Sequence, residues 1–282
     1  MHWFRPALAA LAALALALAL PVAAQKDKDY EPHVGQPGKD VIWVPTPDEV
    51  VNRMLRMAQV TPNDYVVDLG AGDGKIAIAA AKKFGARALG IEYNPEMARH
   101  AQLNVERAGV AGRARIVQGD IFVSDFSQAT VVTMYLLPAL NLKLRPQLLA
   151  MRPGTRVVSH SFSMDDWEAD ESSSLDGRRA YFWVVPAAVA GAWSLELTGG
   201  GATERLELTL EQRFQKIEGT VALGTVLGGL REARLRGFVI AFAFVDEKGV
   251  RRDFSGRVSG ARMEGSFRVD NGVEGRWTAA KK

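Results

Sequence analysis

The 282-residue chain contains no cysteine, which excludes disulfides and thiolate metal sites. Its four histidines, His2, His33, His100 and His160, lack the spacing of a ligand set, so no metal site is expected. There is no dense run of lysine and arginine either. With 35 basic against 32 acidic residues the net charge is only +3, and no nucleic-acid partner is expected. Long apolar stretches are also scarce. The main one, residues 7–20, is shorter than the ~20 residues a transmembrane helix needs. It follows His2 and Arg5 and precedes Pro21 and the small residues Val22-Ala23-Ala24. That order reads as a secretory signal over residues 1–24, cleaved after Ala24. A periplasmic or secreted protein with no stable membrane span is therefore expected, an uncleaved anchor being the alternative.

What the chain does have is concentrated in residues 65–74, YVVDLGAGDG. An apolar strand runs into a turn with Gly70, Gly72 and Gly74, and Asp68 stands just ahead of the first glycine. Glycines let the backbone approach a ligand where a Cβ would clash, and the helix expected over residues 75–84 aims free N–H groups at the same place. A nicotinamide fingerprint reads G-x-G-x-x-G and has no acid at the strand end. Here the order is G-x-G-x-G with an acid, an arrangement suited to S-adenosylmethionine, whose amino-acid end carries an ammonium. The next strand ends in Glu92, placed to accept from both ribose hydroxyls, and the third ends in Gly119-Asp120, where an acid can accept from an exocyclic amine. Asp68, Glu92 and Asp120 thus fall at successive carboxyl ends of strands, where open α/β sheets bind ligands.

Residues 44–185 resemble a class I S-adenosylmethionine-dependent methyltransferase. The lead-in Val44-Pro45-Thr46-Pro47, a helix over residues 48–58 and the run DYVVDLGAGDGKIAIAAA are similar to one group in particular. It is the group that includes the mitochondrial ATP synthase c-subunit lysine methyltransferase and its bacterial relatives. The resemblance implies that Pro45 and Thr46 lie near the methionine end of the cofactor, and that the acceptor is a protein lysine. The same residues also look like a helix cap: Thr46 as N-cap, Pro47 in the first helical position and Glu49 completing a T-x-x-E box.

Acceptor-side candidates follow strand four, where the chain reads Thr133-Met134-Tyr135-Leu136-Leu137-Pro138. The N/D-P-P-Y of many enzymes that methylate planar nitrogens is absent, which argues against a base-methylating enzyme. Tyr135 can orient an amine, His160 can take a proton near neutral pH, and Asp166 can pair with a cationic acceptor. Packing supplies an equally good reason for Tyr135 and His160, and a solvated acid is the plain reading of Asp166. Nothing in the residues themselves fixes the acceptor. A small-molecule O- or N-methyltransferase and a catalytically silent cofactor-binding module stay open beside the protein-lysine reading.

Residues 25–40, with Pro32, Gly35, Pro37 and Gly38, read as a flexible linker. Residues 41–187 then alternate strand and helix, which predicts a Rossmann-like, doubly wound, mostly parallel sheet closed by an antiparallel edge strand at residues 181–185. After residue 191 the hydrophobic period changes from 3.6 to 2 in segments such as ERLELTLEQRF and FVIAFAFV. Turn signals lie at Asp246-Glu247-Lys248-Gly249 and Asp270-Asn271-Gly272. Residues 191–282 should therefore form an antiparallel β-domain of seven or eight strands, a small barrel or sandwich whose role the sequence does not reveal.

Overall fold

The computed structural model describes residues 30–282 except Val41 and Asn271. The leader expected over residues 1–24 lies outside the described residues. Helix α1 (Asp48–Met57) leads into an alternating series: β1 (Tyr65–Leu69), α2 (Lys75–Phe84), β2 (Arg87–Glu92), α3 (Pro95–Arg107), β3 (Ala114–Gln118), β4 (Val131–Met134), α4 (Pro138–Leu149) and β5 (Arg156–His160). Local chemistry sets several boundaries. The Asn94 side chain caps α3 by accepting from Glu96 N and Met97 N, with Pro95 next in line. Gly85, in the left-handed region at φ 70°, ends α2. The central strands are buried along nearly their whole length because helices cover both sheet faces.

The sheet order is β3-β2-β1-β4-β5-β7-β6, where β6 is Glu171–Leu175 and β7 is Arg178–Val184. The strands from β3 to β5 are parallel, and β7 runs antiparallel to β5. One expectation needs correction. The strand around residues 181–185 is not the edge, because the chain turns at Asp176-Gly177 and a further strand, β6, pairs outside β7. Its sequence, ESSSL, carries no apolar alternation, since an outermost strand exposed to solvent needs none. The expected capping box also fails to form. Pro47, with no side-chain bond, occupies the N-cap of α1, and Thr46 is drawn instead to His160, across 114 positions of sequence.

The second sheet comprises β8 (Gly191–Gly199), β9 (Ala202–Arg213), β10 (Lys216–Leu223), β11 (Val226–Gly229), β12 (Arg231–Arg236), β13 (Val239–Val245), β14 (Arg251–Ser259), β15 (Arg262–Val269) and β16 (Glu274–Lys281). All neighbours are antiparallel, in the order β11-β10-β9-β8-β16-β15-β14-β13-β12. The two outermost strands, β11 and β12, are consecutive in sequence and separated only by Leu230, whose N–H donates to Gly219 O at 2.9 Å. One bent run therefore serves both edges, and the sheet rolls into a nearly closed meander barrel. A register shift between Arg231 and Arg234, with Glu232 at φ 51°, supplies the bulge that bends this run. Every second residue points inward, filling the barrel with Trp193, Phe242, Phe254, Phe267 and Trp277.

Residues 31–282 make one compact unit holding both sheets. The parallel sheet carries one apolar cluster on each face, and the barrel has a third of its own. Ala187 N donates to Gly237 O at 2.7 Å, and Phe238 packs against Gly154, so the barrel rests on the segment that leads into β5. Among the described residues no helix is long and apolar enough to cross a membrane.

Candidate active site

The carboxyl ends of β1 and β2 and the loops after β3 and β4 open on one cavity of about 340 Å³. Each of the first three strands delivers an acid to it. Asp68, buried within β1, accepts from Thr133 Oγ1 at 2.7 Å, and burial pushes its carboxyl up to about 7, with Asp73 and Glu92 nearby adding to the rise. Glu92 accepts from Gly72 N through one oxygen and from Asn94 N through the other, both at 2.9 Å. Those bonds fix the carboxylate while leaving lone pairs for a ligand. Asp120 accepts from Phe122 N at 2.9 Å and from Lys39 Nζ at 2.7 Å, and the lysine holds its carboxyl below the usual range.

The glycines divide into two roles. Gly70 and Gly72 line the cavity at φ 77° and 53°, and a Cβ on Gly72 would lie 2.5 Å from Trp43 Nε1. Gly74 does not line the cavity. It is the N-cap of α2 at φ 81°, packed against Ala101 and Ile116, so its role is to start the helix.

The segment ahead of α1 covers the cavity. Gly35 N donates to Trp43 O, Trp43 N donates to Gln36 O, and Pro37 bridges Ile42. Residues 35–40 are thus folded and do not behave as the flexible linker expected there, since the ion pair to Asp120 and a contact of Lys39 with the Tyr93 ring at 4.5 Å tie them down. Pro45 and Thr46 line the cavity beside them. Sequence reasoning missed Lys39, Trp43, Tyr93 and Phe162, all of which line the cavity. Only Trp43 carried a signal, as the residue just before the Val44-Pro45-Thr46-Pro47 lead-in.

The three acceptor-side candidates separate. Tyr135 lines the cavity together with Leu137, Leu140 and Phe162, its ring 6.3 Å from that of Phe162. His160 lies behind it, buried, with ring centroids 4.0 Å apart. Its Nδ1 is 3.1 Å from Thr46 Oγ1, and Nε2 has no partner among the described residues. Burial, helped by the charge of Arg178, lowers its pKa to about 4, so the imidazole is neutral near pH 7. Asp166 is not at the cavity. Its two oxygens bind Arg145 of α4 and Arg213 of β9, which explains why a rim acid read from sequence has no acceptor to meet.

Five acids, Asp40, Asp68, Asp73, Glu92 and Asp120, line the cavity against two lysines, Lys39 and Lys75. Apolar Met97, Ile121 and Phe122 complete the wall. This donor set fits a ligand that carries an ammonium, two ribose hydroxyls and a flat apolar ring with an amine. Fold and cavity define a class I S-adenosylmethionine-dependent methyltransferase.

Comparison with known proteins agrees. The model of the ANTKMT methyltransferase domain matches residues 68–171. A protein-lysine N-methyltransferase of Saccharolobus islandicus is 50% identical over 162 residues, 55% of this chain and 96% of that protein. The ATP synthase c-subunit lysine N-methyltransferase of Mus musculus is 33% identical over 46% of this chain and 53% of its own length. A crystal structure described as an RNA methyltransferase from Salinibacter ruber, in complex with S-adenosyl-L-homocysteine, is 49% identical. It covers 52% of this chain and 96% of that one, with a TM-score of 0.51. The chain belongs to the ANTKMT-type family of S-adenosylmethionine-dependent methyltransferases.

Proposed function

We propose that this methyltransferase acts on the ε-amine of a protein lysine, and that the enzyme is exported. The observation that carries the acceptor reading is the aromatic wall of Tyr135 and Phe162, backed by a neutral His160. Such a wall suits an aliphatic stem ending in an amine, and two relatives carry lysine methyltransferase names.

When bound, S-adenosylmethionine supplies a methyl group on a sulfonium. The residues of the chain then have distinct tasks. Asp68 would hold the ammonium of the cofactor, Glu92 the ribose hydroxyls and Asp120 the adenine amine, while Gly70 and Gly72 allow close approach. Pro45 and Thr46 would cover the methionine end. Tyr135 would orient the acceptor amine. A lysine amine has an ordinary pKa of ~10.4 and attacks only when neutral, so desolvation by Leu137, Leu140 and Phe162 favours the reactive form. His160 supports Tyr135 and Thr46 from behind. Alignment of this kind accounts for as much as ~7–11 kcal/mol of a transfer barrier.

Tritiated S-adenosylmethionine, incubated with the full chain and fractionated protein, RNA and small molecules, tests the proposal. Label released as N-methyl-lysine after acid hydrolysis is the expected result. Label in RNA or in small molecules would overturn the acceptor reading. Export rests on the composition of residues 1–24, and N-terminal sequencing of the protein from cell fractions checks it.

A further inference from the structure

Besides the contact at Gly237 and Phe238, the barrel meets the parallel sheet through an unusual turn. β9 and β10 are joined by Phe214 and Gln215, with Arg213 paired to Lys216. Phe214 lies at φ 55°, a region that bulky side chains rarely adopt and that glycine or asparagine would occupy without strain. The Gln212 side chain fixes the turn by donating to Phe214 O at 2.7 Å and to Ala187 O at 2.8 Å. The strained geometry directs the Phe214 ring out of the barrel. It stacks on Trp167 at 6.0 Å and packs into the cluster of the parallel sheet that contains Met134 and Leu136.

What it meets is the loop after β5. Ser161 and Asp165 in that loop also have positive φ, 64° and 56°. Between them lies Phe162, whose ring lines the cavity beside Tyr135. From one side α4 pins this loop: Asn141 Nδ2 donates to Phe162 O and Ser163 O, and Arg145 donates to Met164 O. From the other side the barrel pins it. Arg213 binds Asp166, Lys216 binds Glu168, and Gln215 donates to Glu168 O at 2.7 Å. The two segments that meet at this junction thus carry three positive-φ positions, and side chains from both parts hold them.

We propose that the β9–β10 turn, through Phe214, is a positioning element of the methyl-acceptor wall: the barrel holds the loop 161–167 in the shape that sets Phe162 against Tyr135. This deepens the function proposed above and rests on Tyr135 and Phe162 being the acceptor side. Phe214 touches neither ligand. Its effect passes through Trp167 and the loop, so it should alter acceptor use without altering cofactor affinity.

The test compares Phe214→Gly and Phe214→Tyr with wild type, all as full-length chains. Glycine relieves the backbone strain while removing the ring; tyrosine keeps the ring. The first readout is hydrogen exchange across residues 158–170 with S-adenosylhomocysteine bound, alongside its affinity by calorimetry. In Phe214→Gly, exchange in residues 161–167 should rise at least tenfold. Exchange in β1, β2 and the barrel strands should stay unchanged, and affinity should stay within twofold. Phe214→Tyr should restore protection. The second readout is transfer to a synthetic lysine peptide with apolar flanks, where kcat/KM should fall at least tenfold in Phe214→Gly and recover in Phe214→Tyr. Unchanged exchange in residues 161–167 would overturn the clamp whether or not the peptide is a substrate. A loosened loop with wild-type transfer would overturn its role in positioning. Absence of transfer from wild type would count against the lysine reading alone, leaving exchange to decide the clamp.

Discussion

The two sheets use glycine in opposite ways. In the parallel sheet the informative glycines stand outside the strands, where Gly70 and Gly72 adopt positive φ at the cavity. In the barrel they lie inside strands and opposite one another: Gly256 pairs with Gly265, a Cβ on Gly265 would fall 1.9 Å from Ser255 O, and one on Gly256 would fall 2.5 Å from Trp277. The first kind leaves space for a ligand. The second leaves space for the protein's own strands, which must coil tightly around large aromatic side chains. The same residue type therefore marks a binding site in one sheet and a curvature in the other, and only its place relative to strand ends tells them apart.

Substitutions can break this contrast. The largest effect is expected at Gly265→Val, because the obstructing atoms are backbone and cannot swing aside. A loss on the order of 4 kcal/mol or more in urea unfolding is expected. Gly72→Ala meets only the Trp43 side chain but sits at φ 53°, so it should weaken cofactor binding at a smaller stability cost of about 1–2 kcal/mol. Equal loss of stability in the two variants would erase the distinction.

Next in size is Glu92→Ala, which removes a charged acceptor at the cavity and should weaken S-adenosylmethionine binding by about 2–4 kcal/mol in calorimetry. Barrel stability should not change. Retained affinity would place the ribose elsewhere.

A smaller effect concerns pH. The folded pKa of Asp68, about 7, lies above the ordinary 3.8 of an aspartate, so the free protein prefers this carboxyl protonated. Its contribution to stability is present at low pH and is lost as pH rises through 7. A cationic ligand wants the ionised form, so affinity should rise by up to about tenfold per pH unit below 7 and level off above it. Asp68→Asn should flatten the profile, and a wild-type profile already flat from pH 6 to 8 would refute the assignment.

The smallest effect belongs to Lys39. Its pair with Asp120 is exposed, and such pairs contribute about 0–1 kcal/mol. Lys39→Ala should change cofactor affinity less than fivefold, in the tighter direction and most visibly at low salt. Weaker binding would mean that the lysine serves the ligand instead of competing with it.

How much could be read beforehand followed the range of the forces involved. The parallel sheet was legible because its signals are local: a strand, a glycine turn and an acid at each strand end within about sixty residues. The β-domain was legible as a meander because alternation and turn residues are local too. Where tertiary contacts overrode local grammar, the sequence misled. Thr46-x-x-Glu49 satisfied every local rule for a capping box, yet His160 captured the hydroxyl. Asp166 looked like a free rim acid until Arg213, 47 positions away, reached it. The run ESSSL gave no period because an edge strand under solvent has none to give. Phe214 in a tight turn looked like an ordinary barrel residue, since nothing local announces which way a strained side chain will point.

Trp167, Trp183, Trp193 and Trp277 are at most 1% exposed, whereas Trp43 stands half-buried in the cavity wall over Gly72. Among the described residues it is the indole that solutes can reach, so iodide should quench it selectively. A ligand filling the cavity that Trp43 lines would shield the ring and change its emission. The fluorescence of the unlabelled protein is thus a gauge of cofactor arrival, readable on the timescale of a single binding event.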